Sequence, residues 1–568
     1  MSICVEVGLI SGRTAVVQAV SDETMATLKR RAQIALGVGA GQLLDSCGCV
    51  VEGCVLVENA SVQNGDSLTL VCKTVQVQAS FVAFAAILGD GSVVTWGDAD
   101  GGGDSSAAQG QLKHVQQIQS TGRAFAALTG DGSVVTWGRA DSGGDSSAVQ
   151  GQLKNVQQIH ASSHAFAAIL DDGSVVTWGA PWAGGARSPV VQGQLKHVQQ
   201  IQACSWAFAA ILDDGSVVTW GAAAALQENP QETVQHIQAS FGAFAAILSD
   251  GNVVTWGDAS AGSDSSAVQQ RLKHVQHIQA SRSAFAAILD DRSVVTWGDV
   301  GSGADSSAVQ DQLRNVQQIQ ASSAAFAAIL GNRSVVTWGH ADFGGDSSAV
   351  QGQLKNVQQI QASSQAFAAI RGDGCVVTWG SAVFGGDSSA AQRQLKHVKQ
   401  IHASSGAFAA ILGDGSVVTW GCADSGGDSS AVQGQLKNVQ QIQASKRAFA
   451  AILDDGSIVS WGHAESGGDS SAFQASVSEA AATPKAVQIG DPDDEETPAH
   501  ASSASATVFL ESEVWDRFKD FFEDGFAEAP ALLVRDRWWV AADGQCGGCG
   551  GDACSGMATV VTGFFSNG

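Results

Sequence analysis

Ten copies of "VVTWG" or a close variant dominate the sequence, with tryptophans at Trp96, Trp137, Trp178, Trp220, Trp256, Trp297, Trp338, Trp379, Trp420 and Trp461. Successive spacings are 41, 41, 42 and 36 residues, then 41 five times. A fixed period near 40 residues is the mark of a repeat array, in which each unit buries its faces only by stacking on its neighbours. Composition agrees. The 67 Gly against 7 Pro, with no Tyr, are the bias of internal duplication. A chain of 568 residues is also too long for one ordinary core.

Each unit reads as three strands. "NVQQIQAS" alternates polar and apolar residues, the period of a half-buried strand. "AFAAIL" is a short apolar run that suits a fully buried strand, and "SVVTWG" is β-branched and aromatic. Between the last two stands "DDG" in residues 171–173, a hairpin signal because Gly accepts positive φ without steric cost. Arg292 and Arg333 occupy that Gly slot in two units, where a strained or reshaped turn is expected. The remaining "ADSGGDSSAVQGQLK" stretch predicts a loop, then an outer strand or a short helical turn. Units of this size match propeller blades. Each repeated Trp is then core packing between blades. Ten units exceed the usual blade number, so a wide ring, a seven-blade ring with extra units and an open superhelix all remain open.

"AALTGDGSVVTWG" (126–138) resembles the repeat of the regulator of chromosome condensation (RCC) family, and the resemblance extends over residues 74–474. It implies a β-propeller similar to those of HERC-type ubiquitin ligases. The units are shorter than the family's, "GQLK" comes late and lacks a final Gly, and only His164 stands in the family's His slot. The compact blades also resemble propellers of the β-lactamase-inhibitor group.

Residues 1–73 order as two strands, a helix and further short strands, which resembles ubiquitin. Asp22 is the expected N-cap, and Met25, Leu28, Ala32 and Leu36 form the inward helix face. Ubiquitin's conjugated Gly-Gly is absent, since Lys73 runs into the first repeat strand. The resemblance implies a built-in, unconjugated ubiquitin-like domain. Leu9, Leu44 and Val71 fall nearest ubiquitin's apolar patch and are equally readable as core.

The fold class expected is therefore mainly β: an N-terminal ubiquitin-like β-grasp (1–73), then a ten-unit β-propeller-like repeat array (74–474). An acidic disordered linker (475–507) and a tail (508–568) with a short amphipathic helix and Gly/Cys-rich end complete it. In that tail Val514, Trp515, Phe518, Phe521 and Phe522 share a helix face that could dock in a partner's groove or pack on "LLVRDRWWV". Cys546, Cys549 and Cys554 lack an evident fourth ligand for a structural zinc site.

Charge limits the partners. The net charge is −25, and residues 475–568 alone hold 5 basic and 16 acidic residues. A negative field repels phosphate backbones, so direct nucleic-acid binding is disfavoured while a basic protein partner is compatible. "MSICVEVGLISGRT" lacks the basic start of a signal peptide, and no apolar run is long enough to span a membrane. Scattered Cys suit a reducing cytoplasmic or nuclear compartment.

No phosphate-binding loop, zincin or nucleophile-elbow motif occurs. The Asp and Ser of "GGDSS" recur in most units and read as turn capping, not as a catalytic pair. The His of "QLKHV" alternates with Asn, as a solvated turn position would. The 94 residues after the array are too few for a HECT catalytic domain. No enzyme activity, cofactor, catalytic residue or metal site is expected.

The variable positions are more informative. The residue before "AF" is Val82, Arg123, His164, Trp206, Gly242, Ser283, Ala324, Gln365, Gly406 or Arg447. The segment after Trp-Gly varies too and includes Trp182, Phe343 and Phe384. If the first strand runs up, both positions lie on the upper face, and the lower turns are nearly uniform. A rigid frame with diversified loops is how binding surfaces are built, and Trp and Arg are hot-spot residues. Drift after recent duplication is the alternative, and it predicts variation on both faces. The expected function is a protein-interaction scaffold. Its propeller face binds a protein, and its ubiquitin-like domain links to ubiquitin-receptor or proteasome proteins. Guanine-nucleotide exchange on a small GTPase, or service as a ubiquitin-ligase adaptor, are the alternatives.

Overall fold

A computed structural model describes residues 2–9, 14–36, 41–51, 55–60, 62–72, 75–186, 189–222 and 232–471. The chain divides into Met1–Pro484 and Lys485–Gly568, and every described residue belongs to the first unit. The expected linker, the aromatic helix face and Cys546, Cys549 and Cys554 lie outside the described residues.

The N-terminal sheet contains β1 (Ser2–Leu9), β2 (Thr14–Val20), β3 (Gly41–Leu44) and β4 (Ser67–Cys72), with the helix α1 (Met25–Leu36). Strand order is β2-β1-β4-β3. The central pair β1 and β4 is parallel and both flanking pairs are antiparallel, the β-grasp arrangement. Met25, Leu28, Ala32 and Leu36 are buried against Val5, Val7, Leu43, Leu68 and Leu70, as their helical spacing requires. The N-cap expectation needs correction. The helix begins at Met25, so Thr24 precedes it, with Oγ1 3.1 Å from Thr27 Oγ1. Asp22 lies in the turn before it.

The array holds ten three-stranded antiparallel sheets. The third unit shows the frame. Its inner strand Val156–Ala161 pairs with the middle strand Ala165–Leu170, which pairs with the outer strand Val175–Gly179. The middle strand is apolar because both its faces are covered, and Ala165 to Ile169 are all buried. Phe166 and Trp178 sit opposite each other and stack at 5.2 Å. The indole N–H of Trp178 donates to the carbonyl of Gly143 in the preceding unit at 3.0 Å. The same bond recurs in eight of the ten units, so the repeated Trp joins blades as expected.

No fourth strand forms in the described residues of any unit. The "GGDSSAVQ" segment does its work with side chains. Asp145 accepts from the Ser147 N–H at 2.9 Å, which closes a turn. Buried Ser146 donates to Gln150 Oε1, and the Gln150 amide donates at 3.0 Å to the Val134 carbonyl. Gln150 thus satisfies part of the outer strand's free edge. This is turn capping and not catalysis.

The hairpin at 171–173 is a three-residue loop. Leu170 accepts from Gly173 N–H, Leu170 N–H donates to the Ser174 carbonyl, and Gly173 has φ 74°. Arg292 and Arg333 keep the same bonds at φ 65° and 61°, so these turns are strained but not reshaped. The His/Asn alternation has a related cause. His114, Asn155, His197, His274, Asn315, Asn356, His397 and Asn438 all lie near φ 55°, and Asn and His are among the non-Gly residues that tolerate this region.

The array closes into a ring. Inner strands of consecutive units lie side by side around the whole circuit, first against tenth included. Val77, Phe84 and Trp96 of the first unit share a core with Ala448, Ile452 and Ile458 of the tenth. Trp96 makes its inter-blade bond to Gly467, 371 residues away.

Candidate protein-binding face

The loops between inner and middle strands carry a second sign of closure. The Phe81 N–H donates to the Gly122 carbonyl, and Gly122 to Ser163. The bonds continue through Ser205, Phe241, Arg282, Ser323, Ser364, Ser405 and Lys446, which donates back to Phe81. Ten backbone bonds of 2.8–3.2 Å thus encircle the opening at the upper end.

Each loop is pinned from below as well. Buried Ser162 Oγ accepts from the Ala165 N–H at 3.1 Å and donates to the Ala183 carbonyl at 3.2 Å. The carbonyl of His164 accepts from the Ala180 N–H at 2.9 Å, and the equivalent bond is present in all ten units. This bond explains Gly179. At φ 103° its missing Cβ would lie 2.7 Å from the His164 carbonyl oxygen. Because only backbone atoms of position 164 are used, its side chain is free to differ from unit to unit.

The two variable segments meet on the upper face as the strand directions require. The rings of His164 and Trp182 are 4.9 Å apart, and His164 Nδ1 is 3.2 Å from Ser142 Oγ of the preceding unit. Burial holds the His164 imidazole below its ordinary pKa, with nearby Asp141 partly opposing. Arg447 donates to Asp424 Oδ2 at 3.1 Å across the same kind of junction. Trp206 packs edge-on against Phe241 at 4.8 Å, and the Arg282 guanidinium lies 4.8 Å over the other part of that contact, the Phe241 ring.

The nine expected face residues do not form one cluster. Arg123, His164, Trp182 and Trp206 fall in units two to four, and Ser283, Phe343, Gln365, Phe384 and Arg447 in units six to ten. Trp182 is 53% exposed, whereas Phe343 and Phe384 are half-buried against inter-blade cores. In the β-grasp sheet Leu44 pairs with Thr69 and Val71 with Gln42, which puts both on the face away from α1, half-buried. Leu9 pairs with Leu70, and its side chain lies outside the described residues.

Two groups escaped the sequence reading. One is the residue two before "AF", where Phe81, Gly122, Phe241, Arg282 and Lys446 interrupt a run of Ser. Comparing that column across units would have found it. The other is the channel wall. Gln117, Gln119, Gln158, His160, Gln200 and Gln202 line one cleft along adjacent inner strands. Across the ten units these two positions hold 16 Gln and 4 His, with no carboxylate, Lys or Arg. The His are His160, His236, His277 and His402. Among the described residues no group of His, Cys, Asp and Glu is arranged to hold a metal ion, and no helix is long and apolar enough to cross a membrane.

No protein-family model and no curated protein matches the chain. Similar solved structures include the CRINKLY WD40 ectodomain of the Arabidopsis thaliana receptor kinase ACR4, 18% identical over 45% of this chain and 93% of that one, TM-score 0.29. Prp20p from Saccharomyces cerevisiae is 14% identical over 62% and 83%, TM-score 0.30. Human WBSCR16 is 13% identical over 58% and 80%, TM-score 0.25. Ten blades, an inner-strand wall and a complete circle of inter-blade bonds define the array in its own right as a closed β-propeller.

Proposed function

We propose that the chain is a non-enzymatic interaction scaffold whose upper propeller face binds a protein. The observation behind this reading is the separation of frame from side chain. Backbone bonds hold each upper loop identically in all ten units, while the side chains at the rim include Arg, Trp, His, Phe and Lys. Preorganised loops bearing hot-spot residues lose little freedom on binding. The β-grasp sheet would supply the second contact, to ubiquitin-receptor or proteasome proteins, through the face bearing Leu44 and Val71.

Affinity capture with the full chain tests this. Trp206→Ala with Arg447→Ala should deplete the captured proteins at least about tenfold, the loss of one or two hot spots. Leu44→Ala with Val71→Ala should deplete a separate, ubiquitin-linked set. Unchanged capture by the first variant would sink the face, and by the second the ubiquitin link. Faster nucleotide release across a small-GTPase panel would replace the scaffold reading with exchange activity.

A further inference from the structure

The rim is not charged like the rest of the molecule. Its twenty positions, two per unit, hold Arg123, Arg282, Lys446 and Arg447 and no carboxylate, in a chain of net charge −25. Three of these cations fall in units ten and two, on either side of unit one, where the ring closes. Lys446 bonds through its backbone to Phe81, and Phe81 to Gly122, the neighbour of Arg123. Phe81 is 49% exposed. Its ring lies over Gly122, where a Cβ would sit 2.8 Å from the ring. Among the ten residues whose backbones bond into the circle Gly122 is the one glycine, so the chain leaves room there for an aromatic face. Arg447 is paired with Asp424, but Arg123 and Lys446 make no ion pair among the described residues.

We infer that this seam binds an acidic protein segment carrying an apolar side chain, the apolar group on Phe81 and the carboxylates toward Arg123 and Lys446. The inference rests on the upper face being the binding surface, and it reverses the charge expected of the partner. Cation-flanked aromatics also suit single-stranded nucleic acid. The surroundings favour a peptide. The turns following the outer strands place Asp98, Asp100, Asp141, Asp424 and Glu465 around the seam, with Arg139 as the opposing cation. A continuous polyanion crossing the face would meet these carboxylates, whereas a peptide can confine its charge to the few residues over the rim.

The test uses the full chain and a labelled twelve-residue Gly-Ser peptide with a central Glu-Glu-Leu-Phe-Glu-Glu, followed by fluorescence anisotropy. Its Lys counterpart and single-stranded dT12 are the comparisons. The Glu peptide should bind, more weakly as salt rises. Arg123→Glu with Lys446→Glu should weaken it at least about tenfold and Phe81→Ala about threefold or more. Lys355→Ala, exposed at the lower end of unit eight, should leave it unchanged. Circular dichroism melting checks that each variant is folded. Equal binding by the charge-reversed variant, preference for the Lys peptide, tighter binding of dT12 or no binding would each overturn the inference. If peptide binding fails while Trp206→Ala with Arg447→Ala still depletes captured proteins, only the seam assignment falls.

Discussion

The backbone N–H of Lys446 donates to the carbonyl of Phe81 at 3.0 Å, and this bond joins the tenth unit to the first. The seam is also held by the Trp96 indole N–H on the Gly467 carbonyl at 3.1 Å. Gly467 has φ 87°, and a Cβ there would lie 2.4 Å from the Phe84 ring. Gly467→Ala is therefore expected to cost about 2–4 kcal/mol, combining left-handed strain with overpacking. Urea unfolding followed by Trp fluorescence measures it. A loss below about 0.5 kcal/mol would mean that the seam does not contribute to stability.

The inter-blade indole bond offers a matched pair. Trp338 Nε1 donates to Gly303 at 3.1 Å, whereas Trp297 Nε1 is buried without a partner. Both indoles stack on a Phe at 5.3 Å. Phe substitution removes similar volume at each site but strands a carbonyl only at the first. Trp338→Phe should cost about 1 kcal/mol more than Trp297→Phe. Equal losses by chemical denaturation would contradict the role given to the bond.

Arg292 and Arg333 hold positive φ where the other units have Gly, at a cost of about 1–2 kcal/mol per residue. Arg292→Gly should raise stability by about 1 kcal/mol. Arg333→Gly should gain less, because the Arg333 Nη1 donates to Asn356 Oδ1 at 3.4 Å. A lower melting temperature for Arg292→Gly would show that the arginine has a compensating contact.

Acid should destabilise the array in two stages. Burial holds His160, His277 and His402 below the ordinary 6.5, with His236 adding to the effect at His277. The folded state binds these protons less readily than the unfolded chain, so stability falls as pH drops below 6.5. The second stage is carboxylate. Hydrogen bonds from Ser174, side chain first and then backbone, hold Asp172 below 3.8, with the same pattern at Asp214, Asp291 and Asp414. Backbone N–H donors lead at Asp145, Asp346, Asp387 and Asp428. That stability is complete above 3.8 and is lost as pH falls through the lower folded values. Urea midpoints between pH 8 and 3 follow both stages. His402→Gln should reduce the first stage only, and a midpoint that rises on acidification would refute the assignment.

The repeat made the blades legible because each strand announces itself by a local pattern: alternation in "NVQQIQAS", a solid apolar run in "AFAAIL", β-branching in "VVTWG". The upper location of His164 and Trp182 followed from strand direction alone. Closure did not, since it depends on the small rotation between neighbouring blades, a property of packing between units that no single unit encodes. Asp22 reads as the cap and Thr24 holds that place, because local composition cannot tell which polar residue meets the first free N–H. Arg123 and Arg447 stand out as variable residues before "AF", whereas Arg282 and Lys446 do not, for a different reason. Arg282 meets the Phe241 ring only when loops of consecutive units bond, and Lys446 meets Phe81 only when the tenth loop returns to the first.

The central claim is that a protein docks on the upper loops of a closed ring. Hydrogen–deuterium exchange on the full chain, alone and bound to its most strongly captured protein, tests it most directly. The account expects protection to concentrate in the upper loops at 80–82, 121–123 and 445–447 and in the turns after each Trp-Gly. The lower turns, such as 171–173, should exchange as in the free chain. Protection confined to those lower turns, with the upper loops unchanged, would contradict it.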